Sequence, residues 1–182
     1  MPNWCQNHLT IDGPRDQLVA FRDAAKMMRE DGKLVPFQIG QIVPEPPKGD
    51  PRCIPSERHQ GGWDWYSWRV QNWGSKWDVC DVTLKEDGDR LVYAFDSAWA
   101  PPREGIRRVS MAFPALTLTY AWFEWGMQFY GRDEIRNGEL TNLLEVESIP
   151  EGAYEYDDDD EVQVVDPDLR EFVDAYGFGF YA

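Results

Sequence analysis

The chain predicts an α+β fold built on one antiparallel sheet. Two strand–helix–strand runs follow one another, an Asp-Gly hairpin signal lies between strands of the second half, and each main helix shows one apolar stripe. That order is the split βαβ pattern of a ferredoxin-like sheet with helices on one face. Asn7, Leu9 and Ile11 alternate with His8 and Thr10, which makes residues 7–11 a short strand. Asp12-Gly13-Pro14 turns the chain. Leu18, Phe21, Ala25 and Met28 then recur at helical spacing, so a helix is expected over 14–30, ended by Asp31-Gly32. Phe37 to Val43 reads as a second strand, and the proline-rich stretch Pro44 to Pro55 as an extended loop.

Five of the nine tryptophans fall between Trp63 and Trp77. Trp65, Trp68 and Asn72 share a helical face, which predicts a short helix over 64–73 stopped by Gly74. The segments 79–86 and 91–96 alternate on either side of Asp87-Gly88-Asp89 and form a hairpin. Pro101-Pro102 opens a helix with Ile106, Val109 and Phe113 as its buried stripe, and Pro114 closes it. Leu116, Leu118, Tyr120 and Trp122 mark a strand. Gly126 breaks it, and Met127 and Phe129 begin a returning one. Leu140 to Ile149 adds an edge strand. Asp166-Pro167 starts a final helix with Leu169, Phe172, Val173 and Tyr176 inward, and the aromatic terminus docks on the body.

Residues 1–138 are therefore expected as a ferredoxin-like body, and 139–182 as an acidic C-terminal extension with a short docking helix. The charge supports that division. Between Glu139 and Asp174 there are fourteen acids and one base, Arg170, a net of −13, while residues 1–138 carry only −2. Such a balance disfavours nucleic acid as a direct partner, because phosphate contacts require Lys and Arg. It suits a basic protein partner or mimicry of a DNA backbone, although acidic runs also serve simply as solvated surface. No membrane-spanning stretch or secretion signal is read, and the three cysteines, Cys5, Cys53 and Cys80, suit reduced thiols in a cytoplasmic protein.

Catalytic chemistry finds little support. The two histidines, His8 and His59, lack neighbours at ligand spacing, so no metal is expected, and His8 reads as a surface residue. No nucleophile elbow, phosphate loop or dinucleotide fingerprint occurs, and no cofactor is expected. Asp64, Asp78, Asp96 and Glu124 lie beside tryptophans, where an apolar ring can raise a carboxyl pKa, but helix capping is the commoner role for such acids. Trp63, Trp73, Trp77, Trp99 and Trp125 are candidates for stacking platforms or for core.

Four segments together resemble the YubB-like family. They are Met1-Pro2-Asn3-Trp4-Cys5-x-Asn7, then Asp64-Trp65-Tyr66 running to Asn72-Trp73-Gly74-x-Lys76-Trp77, then Phe95-Asp96-Ser97-x-Trp99-x-Pro101-Pro102, and finally Glu124-x-Gly126-x-x-Phe129-x-Gly131. The resemblance spans about residues 1–135. It implies a ferredoxin-like core and a phage, plasmid or bacterial setting, and it supplies no catalytic residues. Two functional expectations follow. One is a non-enzymatic interaction protein that presents Asp157, Asp158, Asp159, Asp160 and Glu161 to a basic host protein. The other is a nucleotide- or sugar-binding pocket built on Asn72, Trp73, Lys76, Trp77, Trp99 and Glu124, in which polar groups interleave with rings.

Overall fold

The computed structural model describes residues 3–47, 50 and 64–180. The first strand, β1 (Trp4–Asp12), leads through α1 (Arg15–Ala25), the short strands β2 (Met27–Met28) and β3 (Leu34–Val35), and α2 (Ile39–Ile42) to α3 (Trp65–Trp73). Then come β4 (Cys80–Asp87), β5 (Arg90–Ala98), α4 (Arg103–Ala112), β6 (Thr117–Glu124), β7 (Phe129–Arg136) and β8 (Glu139–Val146). A small hairpin of β9 (Tyr154–Tyr156) and β10 (Val162–Val164) precedes α5 (Pro167–Tyr176).

Six strands form one sheet in the order β4-β5-β1-β6-β7-β8, and every pairing is antiparallel. The first four are the ferredoxin-like arrangement, with β1 central and α1 and α4 as the crossovers. Strands β7 and β8 extend it on the β6 side. The position expected to divide body from extension, residue 138, falls in the Asn137-Gly138 turn between β7 and β8, both residues having positive φ.

Alternation places Leu9, Ile11, Tyr93, Phe95, Leu118, Tyr120 and Trp122 on one face, where they meet Leu18 and Phe21 of α1, Ile39 of α2, Trp73 of α3 and Ile106 and Val109 of α4. Each such side chain contributes about 1.5–3 kcal/mol on burial. Ala121, Phe123 and Tyr130 face the other way, onto Leu169, Phe172 and Val173 of α5. The helices expected on one face are there, and α5 covers part of the second.

Two local expectations are corrected. Residues 37–43 are not a strand: Phe37 enters the core and 39–42 is a helical turn. The cause is remote, since the carboxylate of Asp78 accepts from the N–H groups of Ile39 (2.9 Å) and Gly40 (2.8 Å) and caps that turn. The first helix ends at Ala25, not near residue 30. Asp31-Gly32 is a hairpin turn between β2 and β3, with Gly32 at φ 80° and the Asp31 carboxylate accepting from Lys33 N–H. The same dipeptide signal that marks the later hairpin operates here.

Candidate functional site

The tryptophan-rich helix α3 is assembled from local rules. Asp64 caps it, accepting from the Ser67 N–H at 3.0 Å and the Ser67 hydroxyl at 2.6 Å. Gly74, at φ 80°, ends it in the left-handed region that favours glycine. Trp73 is buried, and its Nε1–H donates to the Val43 carbonyl at 2.9 Å. Trp68 stands edge-on to Trp73 at 5.8 Å. The Arg69 guanidinium lies 5.0 Å from the Trp65 and Trp73 rings and pairs with Glu45. This is a packed aromatic–cation stack joining α3 to the segment after α2. Trp63, Cys53 and His59 lie outside the described residues.

The other pocket candidates divide. Asn72 turns back on its own helix and donates to Trp68 O at 2.8 Å. Lys76 places its ammonium 4.5 Å from the exposed Trp77 ring. Trp99 is half exposed at 51 % and carries φ 70°, held by its N–H donating to Asn3 O at 2.9 Å. Glu124 is buried, and its two oxygens accept from the N–H groups of Gly126 and Met127, so it anchors the β6–β7 turn. Asp64, Asp78 and Glu124 are thus all engaged with backbone donors. Trp125 belongs to the core under α5.

Asp96 differs from these three. It sits with Gln6, Asp81, Thr83 and Tyr176 in a cleft of about 190 Å³ between the sheet and the end of α5. Burial first, and then the neighbouring Asp81 charge, push its carboxyl up to about 6. On the same face, His8 is half-buried beneath the Tyr176 ring (5.1 Å) and not a plain surface residue. Burial lowers its pKa.

The sheet gathers three of the four quoted segments at one end, where the start of β1, the end of β5 and the β6–β7 turn lie side by side, and the fourth, α3 to Trp77, leads into the start of β4 there. The reason for Cys5-x-Asn7 emerges beneath them. Asn7 Nδ2 donates to Cys5 O (2.7 Å), Phe95 O (3.2 Å) and Ser97 Oγ (2.9 Å), and Tyr120 OH donates to Asn7 Oδ1 (2.6 Å). The side chains of Asn7, Ser97 and Tyr120 are all buried, so the network fixes β1 between β5 and β6. Nearby, Arg103 of α4 makes a bidentate pair with the buried Asp133 of β7 (2.8 and 2.9 Å). It also reaches Glu145 of β8 and lies 4.6 Å from the Trp122 ring. Sequence reasoning did not single out Gln6, Asp81, Arg103 or Asp133, because their partners are far away along the chain.

The acidic region is ordered. Asp157 accepts from Asp159 N–H (3.0 Å), Glu161 N–H (2.9 Å) and Gln163 Nε2 (2.8 Å), which shapes the β9–β10 turn. The Glu161 backbone contact leads the causes that lower its pKa. Asp158, Asp159, Asp160 and Glu161 are exposed at the tip. Of the fourteen acids between Glu139 and Asp174, all but Asp166 are exposed, and among the described residues only Glu145 is ion-paired. Asp166 caps α5 by accepting from Leu169 N–H at 2.8 Å.

Residues 72–168 match the family model described as the ferredoxin-like domain in Api92-like protein. The chain belongs to this family. The Api92-like match begins in the last turn of α3, includes β4 to β10 with the acidic hairpin, and ends in the first turn of α5. The fold is also similar to the crystal structure of a protein api92 from Yersinia pseudotuberculosis, at 12% sequence identity and a TM-score of 0.47, over 82% of this chain and 99% of that one. No curated protein matches the sequence. Among the described residues no helix is long and apolar enough to cross a membrane.

Proposed function

We propose that this Api92-like chain is a non-enzymatic interaction protein of a phage or plasmid that presents an acidic surface to a basic host protein. The mobile-element setting rests on the resemblance of its four motif segments. The interaction reading rests on one observation: thirteen exposed acids of β8, the loop after it, the β9–β10 hairpin and α5 lie on an ordered scaffold, with a single ion pair among them in the described residues. Arg170, the only base in that region, donates to Val164 O. Uncompensated charge of one sign steers an oppositely charged protein and repels nucleic acid. A host protein whose own surface accepts a phosphate backbone fits that description.

The test is capture from bacterial lysate on the full chain at low and high salt, beside a variant carrying Asp158→Asn, Asp159→Asn, Asp160→Asn and Glu161→Gln. A basic protein retained by the wild type, released by salt and lost by the variant is the expected result. Equal retention on the variant, or no basic protein at all, overturns the reading.

One observation favours a second reading, a small-molecule site. Trp68, Gln71, Asn72 and Arg108 line a cleft of about 450 Å³ beside Val43 and Pro44. That size suits a nucleotide or sugar. A thermal-shift series with nucleoside monophosphates and monosaccharides decides it: a rise in Tm that Asn72→Ala abolishes supports the site, and no rise with any of them removes it.

A further inference from the structure

The chain that follows α5 is seated as a bound peptide would be. Gly177, at φ 67°, turns it out of the helix, and Phe178 N–H donates to Val173 O at 3.1 Å. Beyond that point the backbone meets one side chain instead of a strand. Gln6 Nε2 donates to Gly179 O at 2.6 Å, and Gly179 N–H donates to Gln6 Oε1 at 2.8 Å. A carboxamide that satisfies both backbone groups of one residue holds an extended chain without reading its side chains.

Reading is left to the rings on either side. Phe178 stacks on Phe123 at 5.8 Å and lies 5.9 Å from Phe172. Phe180 stands edge-on to Phe123 at 5.5 Å and to Trp125 at 5.0 Å. The groove therefore takes an aromatic–glycine–aromatic segment. The acidic β9–β10 hairpin adjoins it, since Tyr154, the first residue of β9, packs edge-on against Trp125 at 4.6 Å. No sheet pairing involves residues 177–180, so their release breaks no strand ladder.

We infer that this groove is a peptide-recognition site occupied by the chain's own tail, and that a basic partner inserts an aromatic–glycine–aromatic segment flanked by lysine or arginine in its place. The flanking charge rests on the acidic-surface reading, while the aromatic pattern rests on the groove alone. The resident tail competes at high effective concentration, so an incoming peptide binds only the fraction of molecules with the tail released. Loosening the tail must then tighten peptide binding, which a purely structural tail would not do.

The probe is a labelled peptide, Lys-Lys-Phe-Gly-Phe-Lys-Lys, read by fluorescence anisotropy on the full chain, beside the same peptide with alanine in both phenylalanine positions. Phe180→Ala is expected to bind the phenylalanine peptide at least about fivefold more tightly than wild type, as the competing occupant is weakened. Alanine peptide bound as tightly as phenylalanine peptide overturns the groove while leaving the acidic surface standing. No binding of either peptide overturns the groove and counts against the acidic surface as well. If Phe180→Ala fails to fold, hydrogen exchange at the Gly179 amide of the wild type answers the same question. Loss of its protection at saturating peptide supports the inference, and unchanged protection overturns it.

Discussion

Asp96 sits in the cleft under the end of α5 with Asp81 beside it and, among the described residues, no backbone donor, unlike the three other carboxylates that neighbour tryptophans. Its carboxyl is raised to about 6, so the folded chain holds the proton more firmly than the unfolded chain does. The stabilisation is therefore complete below the ordinary carboxylate range and is lost as pH climbs towards 6. The rise corresponds to an upper bound of ~3 kcal/mol, which solvent screening at a half-exposed group reduces to about 1 kcal/mol. Asp96→Asn is expected to stabilise the protein by that amount at pH 7.5 and to change little at pH 3.5. Urea denaturation at the two pH values checks it, and equal effects at both would refute the assignment. Glu124 serves the backbone instead. Glu124→Ala leaves the N–H groups of Gly126 and Met127 without their acceptor, so a loss of about 1–3 kcal/mol in thermal unfolding is expected.

At the scale of elements, α3 separates what local chemistry writes from what packing writes. Its cap, Asp64, and its stop, Gly74, were legible because both act within four residues of the helix end. The burial of Trp73 was not, because its partner Val43 lies thirty residues earlier. Asp64→Ala should cost about 1 kcal/mol as a lost cap, and Trp73→Ala about 3–5 kcal/mol as a core cavity. Chemical denaturation of both variants tests the order, and a smaller loss for Trp73→Ala would mean that the ring is not a core residue. The α2 region shows the reverse. Phe37 to Val43 reads as a strand, yet the carboxylate of Asp78 captures two of its N–H groups and caps a helical turn. A side chain nearly forty positions away overrode the local pattern.

At the scale of the molecule, Arg103 ties α4 to both added strands through Asp133 of β7 and Glu145 of β8. Asp133→Ala strands a half-buried guanidinium and should cost about 3 kcal/mol. Replacing both partners, Arg103→Met with Asp133→Leu, should recover part of that loss, and equilibrium unfolding of the two variants measures it. No recovery would show that the pair is not the source. The order of the main strands and helices, the cap and stop of α3, the Asp87-Gly88 hairpin and the segregation of charge into residues 139–174 were legible in the sequence. These follow from periodicity and from interactions within a few residues. It took the tertiary structure to place α5 over part of the second sheet face, to clasp Gly179 with Gln6, to bring Asp81 and Asp96 into one cleft and to stack Arg69 between Trp65 and Trp73. The first three of those join residues distant along the chain. Their pairing is chosen by packing and burial once the sheet has formed, and it leaves no periodic signal beforehand.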